Sequence, residues 1–433
     1  MRASGRLLAT ATLGFALAVP TAAPADAVAT NQAFAIPASG NFSFAGHGYG
    51  HGHGMSQYGA EGAARKGLTA RQIVSFYYPG TKLSTTKVKI RVLISSDTTR
   101  DVKIRAQRGL RVIDRGSGKT YKLRAIKGVR RWRLAVKSGH SIVQYLTKHW
   151  HRYRLRGQRK RLVGDGEFHS TSGPMSLVTP SGIIRLRGNL RAASIPGAKP
   201  RERETVNVLS IDKYVQGVVP SEMPTSWHAA AVRSQAIAAR TYAMYERTHT
   251  RAYDRSRPYD ICDTTMCQVY GGVSAETSGG NAAVKATAGR YLTWKGAPAF
   301  TQFSASNGGW MAAGSFPYLP AKADPYDGWS GNPYHDWARS ASASVLESRY
   351  PALGTLKTIT ITARAGGGEW GGYVDSVKLT GSSGKVVTAT GDDIRAAYGL
   401  PSRWFMPQSA SLVTKRAAAD LPAPAAWMRS AGF

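Results

Sequence analysis

One stretch of this sequence constrains the fold more than any other. From Pro224-Thr225-Ser226 to about Glu246 the chain is rich in alanine, has no glycine and no further proline, and carries Val232, Ile237 and Met244 at its apolar positions. That pattern predicts one long helix, with Thr225 or Ser226 as its N-cap. Its surroundings have a different period. Val88-Lys89-Ile90-Arg91-Val92-Leu93-Ile94 and Lys122-Leu123-Arg124-Ala125-Ile126 alternate apolar and basic residues, as strands with one wet face do. Residues 174–209 alternate again, with turns at Thr179-Pro180-Ser181-Gly182 and Pro196-Gly197, and residues 355–390 read as further strands. Asp392 to Tyr398 reads as a short helix stopped by Gly399 and Pro401. A long helix among alternating strands gives an α+β fold.

At 433 residues the chain is long enough for two or three packed units. Its charge is unevenly spread. Residues 81–161 hold 25 basic residues against three acidic ones, an excess of 22 out of a net +33 for the whole chain. Such an excess goes beyond what solubility requires and favours a docking face for a polyanion over a merely solvated sheet. Two cysteines exclude a disulfide scaffold and a four-cysteine zinc fold.

The N-terminus narrows the choice of polyanion. Arg2 and Arg6 precede an apolar run from Leu7 to Val19, and Ala25-Asp26-Ala27 is an A-x-A site, so residues 1–27 read as a secretory signal peptide. The run is shorter than the ~20 residues a membrane span needs. An exported basic protein meets a bacterial cell wall rather than genomic nucleic acid. Nucleic-acid binding would rest on charge alone, since neither an aromatic-interleaved element nor a helix-turn-helix is present. The expected organisation is a signal peptide (1–27), a Gly/His-rich segment (28–80), a basic β-rich region (81–173), a core with the long helix and a loop-rich cleft (174–406), and a loose tail (407–433).

Among nine glutamates, Glu222 stands apart, between Val218-Val219-Pro220 and Met223-Pro224, with Trp227 one turn on. A carboxyl in a partly apolar pocket has its pKa raised by desolvation, which suits a general acid at neutral pH. The N-terminus of the following helix would pull the other way. Arg233 and Arg240, seven residues apart, share one helix face and could hold a substrate carboxylate or that of Glu222. The bland alternative is that Glu222 caps its helix and the arginines are a wet face.

The run Val208-Leu209-Ser210-Ile211-Asp212-Lys213-Tyr214-Val215-Gln216-Gly217-Val218-Val219-Pro220-Ser221-Glu222-Met223-Pro224, continued by Ala230 to Ala243, resembles the signature of the SpoIID/LytB family. The resemblance implies a lytic transglycosylase of peptidoglycan that cleaves the MurNAc–GlcNAc bond of peptide-stripped glycan strands and leaves 1,6-anhydro-MurNAc ends. It makes Glu222 the catalytic acid, matches Arg240 to the family's arginine, and puts Arg233 where a lysine is expected. LytB-type members imply the alternative of a non-catalytic enhancer of a wall amidase. A lone carboxyl suits the transglycosylase. Ordinary glycosidases need two acids, whereas here the sugar's own 6-hydroxyl can be the nucleophile.

Gln302-Phe303-Ser304-Ala305-Ser306-Asn307-Gly308-Gly309 resembles the family's Ser-rich strand and turn beside the cleft, which implies sugar contacts for Ser304, Ser306 and Asn307. Gly46 to Ala60, with His51, His53 and Gln57, resembles the Gly-His-Gly…Met-Ser-Gln-Tyr-Gly-Ala motif that in many relatives comes after the catalytic region. Here it precedes it, as a circular permutation would arrange, so residues 41–80 should pack beside 355–406. The resemblance covers roughly 41–80 and 174–406. His51 and His53 would share a face of an extended strand; a Gly-rich loop shaping the cleft is preferred to a two-His metal site. Cys262 and Cys267 lie where some relatives bind zinc, but Met266 stands where a histidine is expected and none lies in 250–268. A disulfide between two nearby cysteines of an exported protein is preferred, with zinc and free thiols as alternatives and no cofactor otherwise.

Overall fold

The computed structural model describes residues 27–409 apart from 156, 158 and 159; the expected signal peptide and most of the expected tail lie outside the described residues. Helices and strands are both abundant, and the fold is α+β. A six-stranded antiparallel sheet runs in the order Trp150–Arg152, His140–Leu146, Arg131–Lys137, Val102–Arg105, Met175–Thr179, Gly182–Leu186. A seven-stranded sheet runs Ile261–Cys262, Lys89–Leu93, Arg203–Ser210, Asn189–Ser194, Gly166–Ser170, Leu110–Asp114, Thr120–Lys122. Both sheets combine strands from the two sides of residue 173, so the basic region and the start of the core are built together. The alternation in Val88–Ile94 forms a strand as read, whereas the second basic stretch leaves the sheet after Lys122.

Four helices frame the site: α1 (Gln57–Arg65), α2 (Ala70–Tyr77), α3 (Ile211–Glu222) and α4 (Ala229–Tyr253). Val232, Ile237 and Met244 of α4 are buried against the other three helices in one large core. The long helix is therefore real, but its limits differ from the expectation. It starts at Ala229 rather than after Thr225 or Ser226. Pro224 forces extended backbone on Met223, and the first turn is capped from elsewhere. The fully buried carboxylate of Glu61 in α1 accepts from the His228 backbone amide and pairs with its Nδ1, both at 2.8 Å. Residues 56–78 fold as two helices, α1 and α2, parted at Gly67-Leu68-Thr69.

The N-terminal segment packs with the C-terminal strands. Asn41–His47 pairs on one side with Phe405–Gln408 and on the other with Asp336–Ser342, and Val28–Ala35 pairs with Leu356–Arg364. These elements enclose a second core around Phe42, Phe44, Ile359, Ile361 and Phe405. Between the two cores runs Gly46–Gly54, in which Gly48, Gly50, Gly52 and Gly54 all have positive φ. Side chains there would be strained, and at Gly52 a Cβ would collide with the Tyr373 hydroxyl. Among the described residues no helix is long and apolar enough to cross a membrane.

Candidate active site

Glu222 is the last residue of α3, a helix that its sequence did not set apart from α4. It does not cap α4. It lies at the carboxyl end of a helix, where the dipole opposes a negative charge. The side chain is 3% exposed, and burial pushes its pKa up to about 8 from 4.5, moderated by one hydrogen bond to Oε1 from the Val269 amide at 3.1 Å. A carboxyl of this kind carries its proton at neutral pH. It lines a cavity of about 170 Å3 with His51, Tyr242, Met266, Gln268 and Phe303 among its other walls, and among the described residues no second carboxylate faces that space.

Each wall has a local cause. Cys262 and Cys267 are joined by a disulfide that closes the loop leading to Gln268 and Val269. Tyr214 of α3 donates to Gln268 Oε1 at 3.2 Å, which fixes that amide. Gln57, at the start of α1, donates from Nε2 to the Glu222 carbonyl at 2.6 Å. Strand Phe303–Ser304 pairs in parallel with Met55–Ser56 and so draws the N-terminal motif against the cavity. His51 Nδ1 accepts from the His53 amide at 2.9 Å, so the ring proton sits on Nε2. Burial, then the charge of His53, pushes the His51 pKa down to about 3. The rings of His51 and His53 stack at 5.1 Å, on the same side of the chain, but the segment between them is a left-handed glycine turn rather than an extended strand. His51 is thus a neutral hydrogen-bonding wall.

Residues 200–294 match the family model described as Stage II sporulation protein, SpoIID. Over that region the chain is similar to the SpoIID/LytB family. It is 36% identical over 141 residues to the amidase enhancer of Bacillus subtilis strain 168, covering 31% of this chain and 18% of that protein. It is 28% identical over 232 residues to the stage II sporulation protein D of the same organism, covering 49% and 64%. An uncharacterized protein of Brachyspira hyodysenteriae is 41% identical over 104 residues, covering 24% and 27%. The chain thus spans less than two thirds of the length of each of these relatives.

Several residues singled out on the SpoIID/LytB pattern are not at the cavity. Arg240 is fully buried: Nε donates to Asp212 Oδ1 at 2.8 Å, and Nη1 donates to the carbonyls of Ala236 and Arg290. It ties α4 to the start of α3 and reaches neither Glu222 nor an open surface. Arg233 is exposed, so seven-residue spacing does not give the two arginines one environment. The middle of α4, Ser234 to Thr241, is buried all round, whereas its first turns are buried only in part and leave Arg233 outside. Ser304, Ser306 and Asn307 are also fully buried. Among the described residues Ser304 Oγ has no hydrogen-bond partner, Ser306 Oγ donates to Asp327, and Asn307 Nδ2 donates to Asp324 Oδ2 at 2.8 Å. They scaffold the site instead of presenting hydroxyls to a sugar. Gln57 is likewise a positioning residue behind Glu222.

An organising residue that the sequence pattern did not single out is Asp327. Its buried carboxylate accepts from Ser56 Oγ at 2.6 Å, from Ser306 Oγ at 2.9 Å and from Asn332 Nδ2 at 3.0 Å, and pairs with His335 Nδ1 at 3.0 Å. It fastens the Gly/His motif to the Ser-rich turn. Burial and the charge of Asp327 push the neighbouring Asp324 up to about 6. A signal was present in Asp324-Pro325-Tyr326-Asp327-Gly328-Trp329, where two aspartates sit among aromatics. With both sulfurs oxidised and Met266 between them, the cysteine pair does not fit zinc. Among the described residues no group of three or more His, Cys, Asp or Glu is disposed to hold a metal ion.

Proposed function

We propose that this protein acts on the bacterial cell wall as a lytic transglycosylase, cleaving the MurNAc–GlcNAc bond of peptidoglycan glycan strands. The observation that carries the reading is the protonated, buried carboxyl of Glu222, alone in its cavity. A hydrolase needs a second carboxylate to attack or to activate water. A transglycosylase does not. Glu222 donates its proton to the glycosidic oxygen as the C–O bond breaks. The 6-hydroxyl of the same muramic acid then attacks the anomeric carbon, and Glu222 takes up the proton that this hydroxyl loses. The product is a 1,6-anhydro ring, no water is consumed, and the carboxyl ends as it began. The dense positive charge of 81–161 would hold the protein on an anionic wall polymer after export and removal of residues 1–27.

The likeness to an amidase enhancer favours a second reading, in which the chain binds the wall and stimulates an amidase without cutting glycan. Full-length mature protein and its Glu222→Gln variant, incubated with purified strands before and after amidase digestion, separate the two. Anhydro ends produced by the wild type alone support the transglycosylase, and their appearance only after digestion identifies peptide-stripped strands as substrate. Binding without cleavage in either condition leaves the enhancer.

A further inference from the structure

A second cavity of about 490 Å3, against 170 Å3 around Glu222, opens on the other side of the Gly46–Gly54 segment. His47 lines this one and His51 the other, four residues along the same chain and so at most about 14 Å apart. Its chemistry is unlike the rest of the molecule. The carboxyls of Asp324, Asp336 and Glu369 face it, and among the described residues no lysine or arginine lines it, in a chain of net charge +33. His47 is 4% exposed. Its Nδ1 lies 2.7 Å from Asp336 Oδ1, while Nε2 lies 3.1 Å from Glu369 Oε2 without the alignment of a hydrogen bond, leaving a buried ring nitrogen unsatisfied toward the cavity. The rings of Trp370 and Trp404 flank His47 at 4.7 and 4.6 Å, and Trp404 is itself part of the wall. Gly308 and Gly309, both with positive φ, line the cavity without side chains, and a Cβ on Gly308 would strike His47.

Carboxylates at the rim of a pocket are what a cation of modest size needs. Asp336 and Glu369 are about half exposed, so they can meet a ligand without moving far. We propose that this cavity binds a primary ammonium group of the wall polymer, with Asp336 and Glu369 as its charge partners on either side of the unsatisfied His47 Nε2. The group could be the free amine of a de-N-acetylated glucosamine in the glycan or of a diamino acid in a stem peptide; the chemistry is shared. The inference rests on the proposed wall substrate for the source of the amine, and not on whether Glu222 cleaves it.

The test is calorimetric binding to the full chain carrying Glu222→Gln, so that nothing is cut. The probes are glucosamine hexamer, N-acetylglucosamine hexamer and a stem tripeptide ending in diaminopimelate. Adding Asp336→Asn and Glu369→Gln together should weaken an amine-bearing probe at least tenfold and leave the N-acetylated hexamer within twofold; which amine responds identifies its source. Neutralising Glu202 and Asp254 instead, an equal change of charge elsewhere, should leave the amine-bearing probe unaffected. Equal weakening of all three probes, no weakening of any, or equal weakening by the control pair overturns the proposal. Should the double variant not fold, Glu369→Gln alone provides the same comparison at a half-exposed position.

Discussion

The two cavities joined by Gly46–Gly54 treat a carboxyl group in opposite ways. Around Glu222 the walls are aromatic and amide, one backbone N–H is the only hydrogen bond to Oε1 that moderates the burial, and the acid is held protonated. Around His47 the carboxyls are several, two of them half exposed, and imidazoles stand against them. The histidines divide in the same way. Burial and its neighbour push His51 down to about 3, while the hydrogen bond to Asp327 raises His335. One glycine-rich segment thus borders an acid held protonated and a pocket of standing charge. What separates them is desolvation against compensation, not residue type.

The largest effect should come from the proton itself. Glu222→Gln is expected to lower glycan cleavage by about 10³-fold or more, the scale of general acid catalysis. In the wild type, cleavage should fall as pH rises through about 8, where the acid form is lost. Stability should move in the opposite sense for the variant. Because the folded pKa lies above the ordinary 4.5, the unfolded chain releases this proton first. Wild-type stability therefore declines between those two pH values, and Glu222→Gln removes the decline. Its advantage should be near zero at pH 4 and reach a few kcal/mol above pH 8. Denaturant melts of both proteins across that range measure it, and parallel curves would show that Glu222 is not held protonated.

Gly52→Ala should disturb both cavities together. Its φ is +74° and the new methyl would strike the Tyr373 hydroxyl, which donates to the Asn307 carbonyl at 3.2 Å. A cost of roughly 3 kcal/mol is expected from the positive φ and the overpacking. A thermal melt shows it, and a drop in both glycan cleavage and amine binding would confirm that the segment couples the two sites.

How far the sequence disclosed this arrangement depends on the kind of interaction. Strands with one wet face, the apolar positions of α4 and the stop at Gly399 were legible, because local period and backbone chemistry decide them. Glu222 was legible because its flanks are apolar. The start of α4 was not, since its cap is Glu61, 167 residues away. Nor was the separate helix α3, with Pro220 inside it, nor the helix Ser278–Ala286 in what reads as loop. Arg240 was assigned to the substrate from its spacing to Arg233 and the serines from the resemblance to the family's Ser-rich turn, and neither reports depth. Only tertiary packing places Asp212 and Asp327 against them.

A change confined to the rim of the Glu222 cavity should cost less. Cys262→Ser opens a loop closed by a disulfide with a sequence separation of 5. Chain entropy puts its contribution at about 2 kcal/mol. Loss of the loop also frees the Val269 amide from Glu222, so cleavage should fall with stability while amine binding at the His47 cavity persists. Loss of both would mean that the two cavities are not independent.

The smallest effect on stability belongs to Arg233→Ala. The side chain is exposed on the first turns of α4 and forms no ion pair among the described residues, so stability should change by no more than about 0.5 kcal/mol. Its effect on kinetics is the informative one. If Arg233 meets a substrate carboxylate outside the cavity, KM rises and kcat holds, because such a contact is made equally in the ground and transition states. Arg233→Lys would then retain KM if a point charge is enough, and lose it if the planar fork is what binds. If neither constant moves, Arg233 belongs to the wet face of α4, and substrate binding near Glu222 rests on the walls around His51, Tyr242 and Phe303.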